Sequence, residues 1–391
     1  MAKGLTRRDM LAGTAALVPG RAFAQPAQSA QLGQPQTVIS NPPRQWGPDA
    51  PPQMFPDPDI IVVDPSFNRL RLSQANIHRV ATGFQWAEGP AWSAEGQYAL
   101  FSDVKGDVQY RYIWETGEVT PFRRPSYNSN GNVFDFQGRQ VSCQHYLRRL
   151  VRWEHDGSLT VIADHYQGKH INSPDDVACH KDGSIWFTDP TFGNSLNEGH
   201  PDAPGQGSNA AGILDPYAGE GGLGLPRVGQ EDGASNMVME LPANTYRWDP
   251  SGRLDIVFTP DKLGNPNGIC FSPDCKIVYT MGSGKIYASD VDGAKVSNTR
   301  VVTDCMVDGI ACRPDGMRTD RAGNLWIGSA SVIGYSGVTV WSPQGKLLGR
   351  IRLPETCANL CFAGPKRDYL FMCASTSVYM VRVNIQGSSP G

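Results

Sequence analysis

Six times along this chain a polar residue opens a short apolar run, and a turn follows at a fixed distance. The openings are Glu88 (EGPAW), Asn130 (NGNVF), Asp175 (DDVAC), Asn267 (NGICF), Asp315 (DGMRT) and Asn359 (NLCFA). Eight residues beyond them stand Gly96, Gly138, Gly183, Cys275, Gly323 and Arg367, in the turns SAEGQ, DFQGR, HKDGS, SPDCK, DRAGN and GPKRD. Each turn leads into a second strand-like run: YALFS, QVSCQ, SIWFT, KIVYT, LWIGS and YLFMC. The openings lie 42, 45, 92, 48 and 44 residues apart. A unit of about 45 residues that holds several strands has the length of one propeller blade. Asp-Gly and Gln-Gly pairs between further strand-like runs supply the permissive backbone that tight hairpins need. The repeat therefore predicts an all-β fold, one six-bladed β-propeller from about residue 76 to 386. The segment around His78, Arg79 and Val80 is expected to supply the outer strand that closes the last blade. The wide spacing is not read as a seventh blade. Residues 193–236 are rich in Gly, Asn, Asp and Pro, alternate little, and read as a long loop inserted in the third blade.

Two segments precede the repeat. Thr6-Arg7-Arg8-Asp9-Met10-Leu11 is a twin-arginine start, a modest apolar stretch runs from Leu11 to Val18, and Ala22-Phe23-Ala24 gives a small-x-small cleavage pattern. Residues 1–24 are thus expected to be a signal peptide that directs a soluble protein to a bacterial periplasm. Residues 25–59 hold nine prolines and read as an extended arm on the surface, continuing to about residue 75. No later segment has the length and apolarity of a membrane span. The formal charge is 35 − 38 = −3, and the chain has no Lys/Arg runs, which argues against a nucleic-acid partner. Nine cysteines occur without C-x-x-C or Cys/His spacing. Most sit in apolar runs and read as buried small hydrophobes.

In a propeller the first strand of each blade lines the central channel, so equivalent repeat positions sit at equivalent heights. Glu88, Asn130, Asp175, Asn267, Asp315 and Asn359 should then encircle the axis near one mouth. All six carry side-chain oxygen, and none is His or Cys. Converging carboxylates repel one another unless a cation sits between them. Hard oxygen donors select Ca²⁺, with Mg²⁺, Mn²⁺ and Zn²⁺ as alternatives, and argue against a structural zinc. The competing reading is that each polar residue only makes turn hydrogen bonds. Strand direction puts the loop after each second strand on the ring face. The inserted loop 193–236 is therefore expected to cover the pocket in part, and His145 to face the same mouth.

Several runs resemble the SMP-30/gluconolactonase-like (sugar-lactone hydrolase) family. They are Trp86-Ala87-Glu88-Gly89-Pro90-Ala91-Trp92, Asn172-Ser173-Pro174-Asp175-Asp176-Val177, Trp186-Phe187-Thr188-Asp189-Pro190, Pro266-Asn267-Gly268-Ile269-Cys270-Phe271-Ser272-Pro273-Asp274 and Pro314-Asp315-Gly316-Met317. The similarity extends from about residue 45 to 382. It implies a six-bladed propeller with a divalent metal, usually calcium, in the channel. It also implies Glu88, Asn267 and Asp315 as metal ligands, with Asp175 where the family commonly has Asn. Three carboxylates and one Asn around Ca²⁺ would leave a formal charge of −3 + 2 = −1. Such a site would hold the ion tightly and weaken it as a Lewis acid, or else free Asp175 to act as a base.

The resemblance implies a small-molecule lactone as substrate, opened to its hydroxy acid by a water that a carboxylate activates. Asp315 is the first candidate base, as it resembles the family residue with that role, and Asp175 and His145 are alternatives. Asn130 and Asn359 are candidates to hydrogen-bond substrate. An arylesterase or phosphotriesterase using the same site, and a propeller that binds ligand without turnover, are the competing readings.

Overall fold

The computed structural model describes residues 34–194 and 239–388. The signal segment 1–24 lies outside the described residues, as does the inserted loop except for Gly193 and Asn194. Six antiparallel sheets of four strands or more follow one another along the chain. The first blade is Ala87–Ser93, Tyr98–Asp103, Val108–Ile113 and Val119–Arg123. The second is Ser129–Phe134, Gln140–Gln144, Arg149–Trp153 and Leu159–Ala163, and the third Val177–Cys179, Ile185–Asp189, Asn244–Trp248 and Leu254–Phe258. The fourth is Pro266–Phe271, Ile277–Gly282, Lys285–Asp292 and Lys295–Thr303. The fifth contains Arg313–Thr319, Leu325–Ala330, Gly337–Trp341 and Leu347–Arg352, and the sixth Cys357–Ala363, Tyr369–Ala374 and Ser377–Arg382. The second and third strands of the third blade, on either side of the long insertion, pair directly with each other.

His78–Thr82 pairs antiparallel with Ser377–Arg382 and completes the sixth blade. The start of the repeat region is thereby joined to its end. The segment ahead of it contributes more than the repeat shows. Ile60–Val62 adds a fifth strand to the fifth blade, alongside Leu347–Arg352. Arg44, Asp57 and Asp59 form a buried ionic cluster, with Nη1 of Arg44 2.8 Å from Asp57 and 3.2 Å from Asp59. Its charges are compensated, since Asp59 also meets Arg352 at 3.0 Å, as burial of ions requires.

Aromatic side chains fill the spaces between blades. Trp186 meets Phe271 edge-on at 5.4 Å between the third and fourth blades, and Trp326 meets Phe362 at 5.6 Å between the fifth and sixth. Phe101 and Phe371 touch at 5.9 Å between the first and last. The first two are edge-to-face contacts, which add to simple area burial. Trp92, Trp186, Trp326 and Trp341 are all core residues. All nine cysteines are buried and unpaired. Among the described residues no helix is long and apolar enough to cross a membrane.

The eight-residue offset has a backbone cause. Gly138, Gly183, Cys275, Gly323 and Arg367 all adopt positive φ, between 51° and 89°, and close the turn between first and second strands. In the first blade the left-handed residue is Gln97, one position after Gly96.

Candidate active site in the channel mouth

The ring residues sit where the inner strands lose regular pairing. The ladder between first and second strands shifts register between Glu88 and Ala91, Ser129 and Asn132, Pro266 and Ile269, Pro314 and Met317, and Cys357 and Asn359. In the third blade the strand begins only at Val177, two residues past Asp175. Such bulges re-aim a side chain out of the alternating pattern. A glycine follows the ring residue in four repeats, and two of these show what it is for. A Cβ on Gly131 would overlap the carbonyl oxygen of Asp175, and one on Gly268 that of Asp315. The inner strands therefore approach closely enough that only hydrogen fits. Gly131 N–H donates to the Asp175 carbonyl at 2.7 Å, so the ring is stitched from blade to blade.

Contacts join Asn130, Asp175 and His145. Asn130 Nδ2 donates to Asp175 Oδ2 at 3.2 Å and lies 3.4 Å from His145 Nε2. His145 Nε2 is 3.7 Å from the same Asp175 oxygen, and the imidazole is fully buried. Glu88 is buried, and its pKa is pushed well up, first by burial and then by the negative charges of Asp315, Asp175 and Asp176. Asn359 packs its amide against Gly316, beside Asp315, and its Oδ1 accepts the N–H of Leu360 at 2.8 Å. Asn267 is reached through its neighbour Gly268, whose backbone touches Asp315. Five of the six ring residues are buried, and Asp315 alone is half-buried. The residue named as first candidate base is thus the least buried of the six.

The donor set fits a hard cation. Asn130 Oδ1 and Asn267 Oδ1 are buried without a hydrogen-bond partner, which is costly unless something else satisfies them. Glu88 is surrounded by like charge, which a cation would relieve. Among the described residues no three His, Cys, Asp or Glu side chains form a ready-made metal cluster. The ring therefore depends on its amide oxygens as well as its carboxylates, which matches the oxygen preference of Ca²⁺.

Two charged residues of the site went unread in the sequence. Asp176 fills the position where four other repeats have glycine. Its carboxylate points into the channel, accepts the N–H of Ile269 at 3.2 Å and pairs with Arg318 Nη1 at 3.3 Å. Arg318 stands three residues after its ring residue, where the other repeats carry Ala91, Val133, Ala178, Cys270 and Phe362. Those two breaks in the repeat were the available signal.

Buried carboxylates also hold the approaches to the ring. Asp103 Oδ1 accepts the N–H groups of Gln85 and Trp86, at 3.0 and 2.8 Å, ahead of Glu88. Asp189 Oδ2 accepts that of Asn172 at 2.7 Å, ahead of Asp175. Asp107 Oδ1 accepts those of Ser126 and Asn128, at 3.1 and 2.7 Å, ahead of Asn130. Burial raises the Asp107 pKa to about 6 and the Asp189 pKa to about 7. Where the inserted loop begins, Gly193 N–H donates to Ser173 Oγ at 3.0 Å, close to His145.

Residues 86–376 match the SMP-30/Gluconolactonase/LRE-like region family. A gluconolactonase of Zymomonas mobilis is 29% identical over 337 residues, 80% of this chain and 82% of that protein. Lactonohydrolase oryL of Aspergillus oryzae is 28% identical over 259 residues, 59% of this chain, and the match spans 49% of the fungal protein. The solved structure of a gluconolactonase from Xanthomonas campestris is 29% identical, with a TM-score of 0.67 over 87% of this chain and 99% of that one.

Proposed function

The chain belongs to the SMP-30/gluconolactonase/LRE-like family, and from that premise we propose that it hydrolyses a lactone of the sugar aldonolactone type to the hydroxy acid. The observation that carries the reading is the half-buried Asp315 among otherwise buried oxygen-bearing residues at equivalent repeat positions. The gluconolactonase and lactonohydrolase relatives support the same substrate class.

Glu88, Asp175, Asn267 and Asp315 would hold a divalent cation, most simply Ca²⁺, which when bound polarises the lactone carbonyl and offsets the developing oxyanion charge. Asp315 takes a proton from the water that adds to the carbonyl carbon. The ring C–O bond then breaks, and the departing alkoxide oxygen takes the proton held by Asp315, which returns the carboxylate to its starting state. Asn359 has a buried Nδ2 without a partner, a donor suited to a substrate oxygen. Asn130 bridges Asp175 and His145 and fixes the orientation of both. His145 is fully buried, which fits holding Asp175 in place better than meeting bulk water. The twin-arginine start assigns the activity to the periplasm, testable by fractionating cells that express the full chain.

The test is to follow acid release from an aldonolactone, an aryl ester and a phosphotriester by the same protein. The reading expects the lactone to be turned over fastest. Preference for either other substrate, or binding without turnover, would overturn it.

A further inference from the structure

The connection from the second blade to the third carries a group that lactone hydrolysis does not use. His165–Tyr166 pairs antiparallel with Lys169–His170, and the turn residues Gln167 and Gly168 both have positive φ, 52° and 79°. A two-residue turn of this kind dictates the character of each opposed pair. Tyr166 and Lys169 flank the turn as a hydrogen-bonded pair. His165 and His170, next along, form a non-hydrogen-bonded pair. Asp164 and Ile171 are bonded again, with the Ile171 N–H donating to the Asp164 carbonyl at 3.0 Å. Opposed side chains come closest at the non-hydrogen-bonded position. The two imidazoles accordingly face each other, with ring centroids 3.9 Å apart and planes tilted by 39°.

Their surroundings suit ligation. His165 Nδ1 lies 3.1 Å from Asp164 Oδ1. A carboxylate beside an imidazole is a common companion of metal-binding histidines. The His170 pKa is lowered by burial, then by His165 and Arg148, with Glu240 and Asp164 acting the other way. Two imidazoles offer nitrogen to a borderline divalent ion, whereas the channel ring offers oxygen to a hard one.

We propose that His165 and His170 form a second metal site, a two-imidazole chelate for a Zn²⁺-class ion with water completing the coordination. Since no closed cluster of three His, Cys, Asp or Glu side chains occurs among the described residues, the site binds more weakly than a four-ligand structural zinc. Its place ahead of Asp175 matters. Arg148 Nε donates to the carbonyls of Ile171 and Asn172, at 2.8 and 3.1 Å, and so ties the base of the hairpin to the segment that leads to Asp175. An ion bridging the imidazoles would lock the hairpin at that segment.

The experiment is calorimetric titration of the calcium-saturated full chain with ZnCl₂ at pH 7.5. One Zn²⁺ per chain is expected, with at least tenfold weaker binding in each of His165→Ala and His170→Ala. Circular dichroism checks that both variants fold. As a second readout, Cu²⁺ added to the wild-type protein should broaden the NMR ring signals of these two histidines before those of the others. Zn²⁺ bound with unchanged affinity by both variants, or no Zn²⁺ bound by the wild type, would overturn the proposal. The outcome is independent of whether the protein hydrolyses lactones.

Discussion

Arg318 and Asp176 meet inside the channel, Nη1 3.3 Å from Oδ2, with both side chains almost wholly buried. The pair joins the inner strand of the fifth blade to that of the third. It also offsets one of the negative charges that crowd Glu88. Breaking such a pair leaves an uncompensated buried ion, whereas replacing both partners by neutral groups removes the penalty. Arg318→Met should therefore cost about 3–5 kcal/mol of stability. The double variant Arg318→Met with Asp176→Asn should recover most of that loss, as read by chemical denaturation.

Asp315→Asn keeps the shape and removes the proton acceptor. General-base catalysis contributes about 10²–10⁴-fold in typical cases, so kcat on a lactone should fall by that order. The melting curve should stay close to wild type. A variant that keeps most of its turnover would move the base to Asp175.

Gly131→Ala tests the closeness of the ring. The added Cβ would overlap the Asp175 carbonyl oxygen and come within 2.8 Å of the Asp176 Cα, both backbone atoms that cannot swing away. Overpacking of this kind typically costs about 1–3 kcal/mol. Since the strain falls on Asp175, lactone turnover should drop as well, measurable below the melting transition.

Asp189 gives a pH signature. Its pKa is raised by burial from 3.8 to about 7. Between those values the folded protein binds more protons than the unfolded chain. Stability contributed at this site is then present below the lower value and lost as pH rises toward the upper one. The slope for one group is at most about 1.4 kcal/mol per pH unit. Asp189→Asn should flatten the wild-type stability curve between pH 4 and 7 in denaturation measured at each pH in the presence of chelator. A wild-type curve that rises at the same rate as the variant's would contradict this.

Much of the architecture was legible in the sequence because a propeller repeats its constraints. The turn at Gly138, Gly183 and Gly323 needs a left-handed residue at the same place in each blade, and glycine records that need. The candidate ring was read from the same repeat, and in five blades a register shift falls at or beside its position. Features that occur once left no such trace. Ile60–Val62 adds its strand from outside the repeat, and the partners Arg44, Asp57 and Asp59 lie too far from any periodic pattern to be matched. Asp176 and Arg318 were visible as departures from the repeat, yet only the fold shows that two departures 142 residues apart touch each other. The carboxylates at Asp103, Asp107 and Asp189 hold backbone N–H groups, and those partners carry no residue-type signal.

The most direct test is calorimetric calcium binding to the chelator-stripped protein, run alongside lactone hydrolysis on the same samples. The account expects stripping to abolish turnover, one Ca²⁺ per chain to restore it, and Glu88→Gln and Asn267→Ala to weaken both together. Full hydrolysis by stripped protein that takes up no calcium would contradict it.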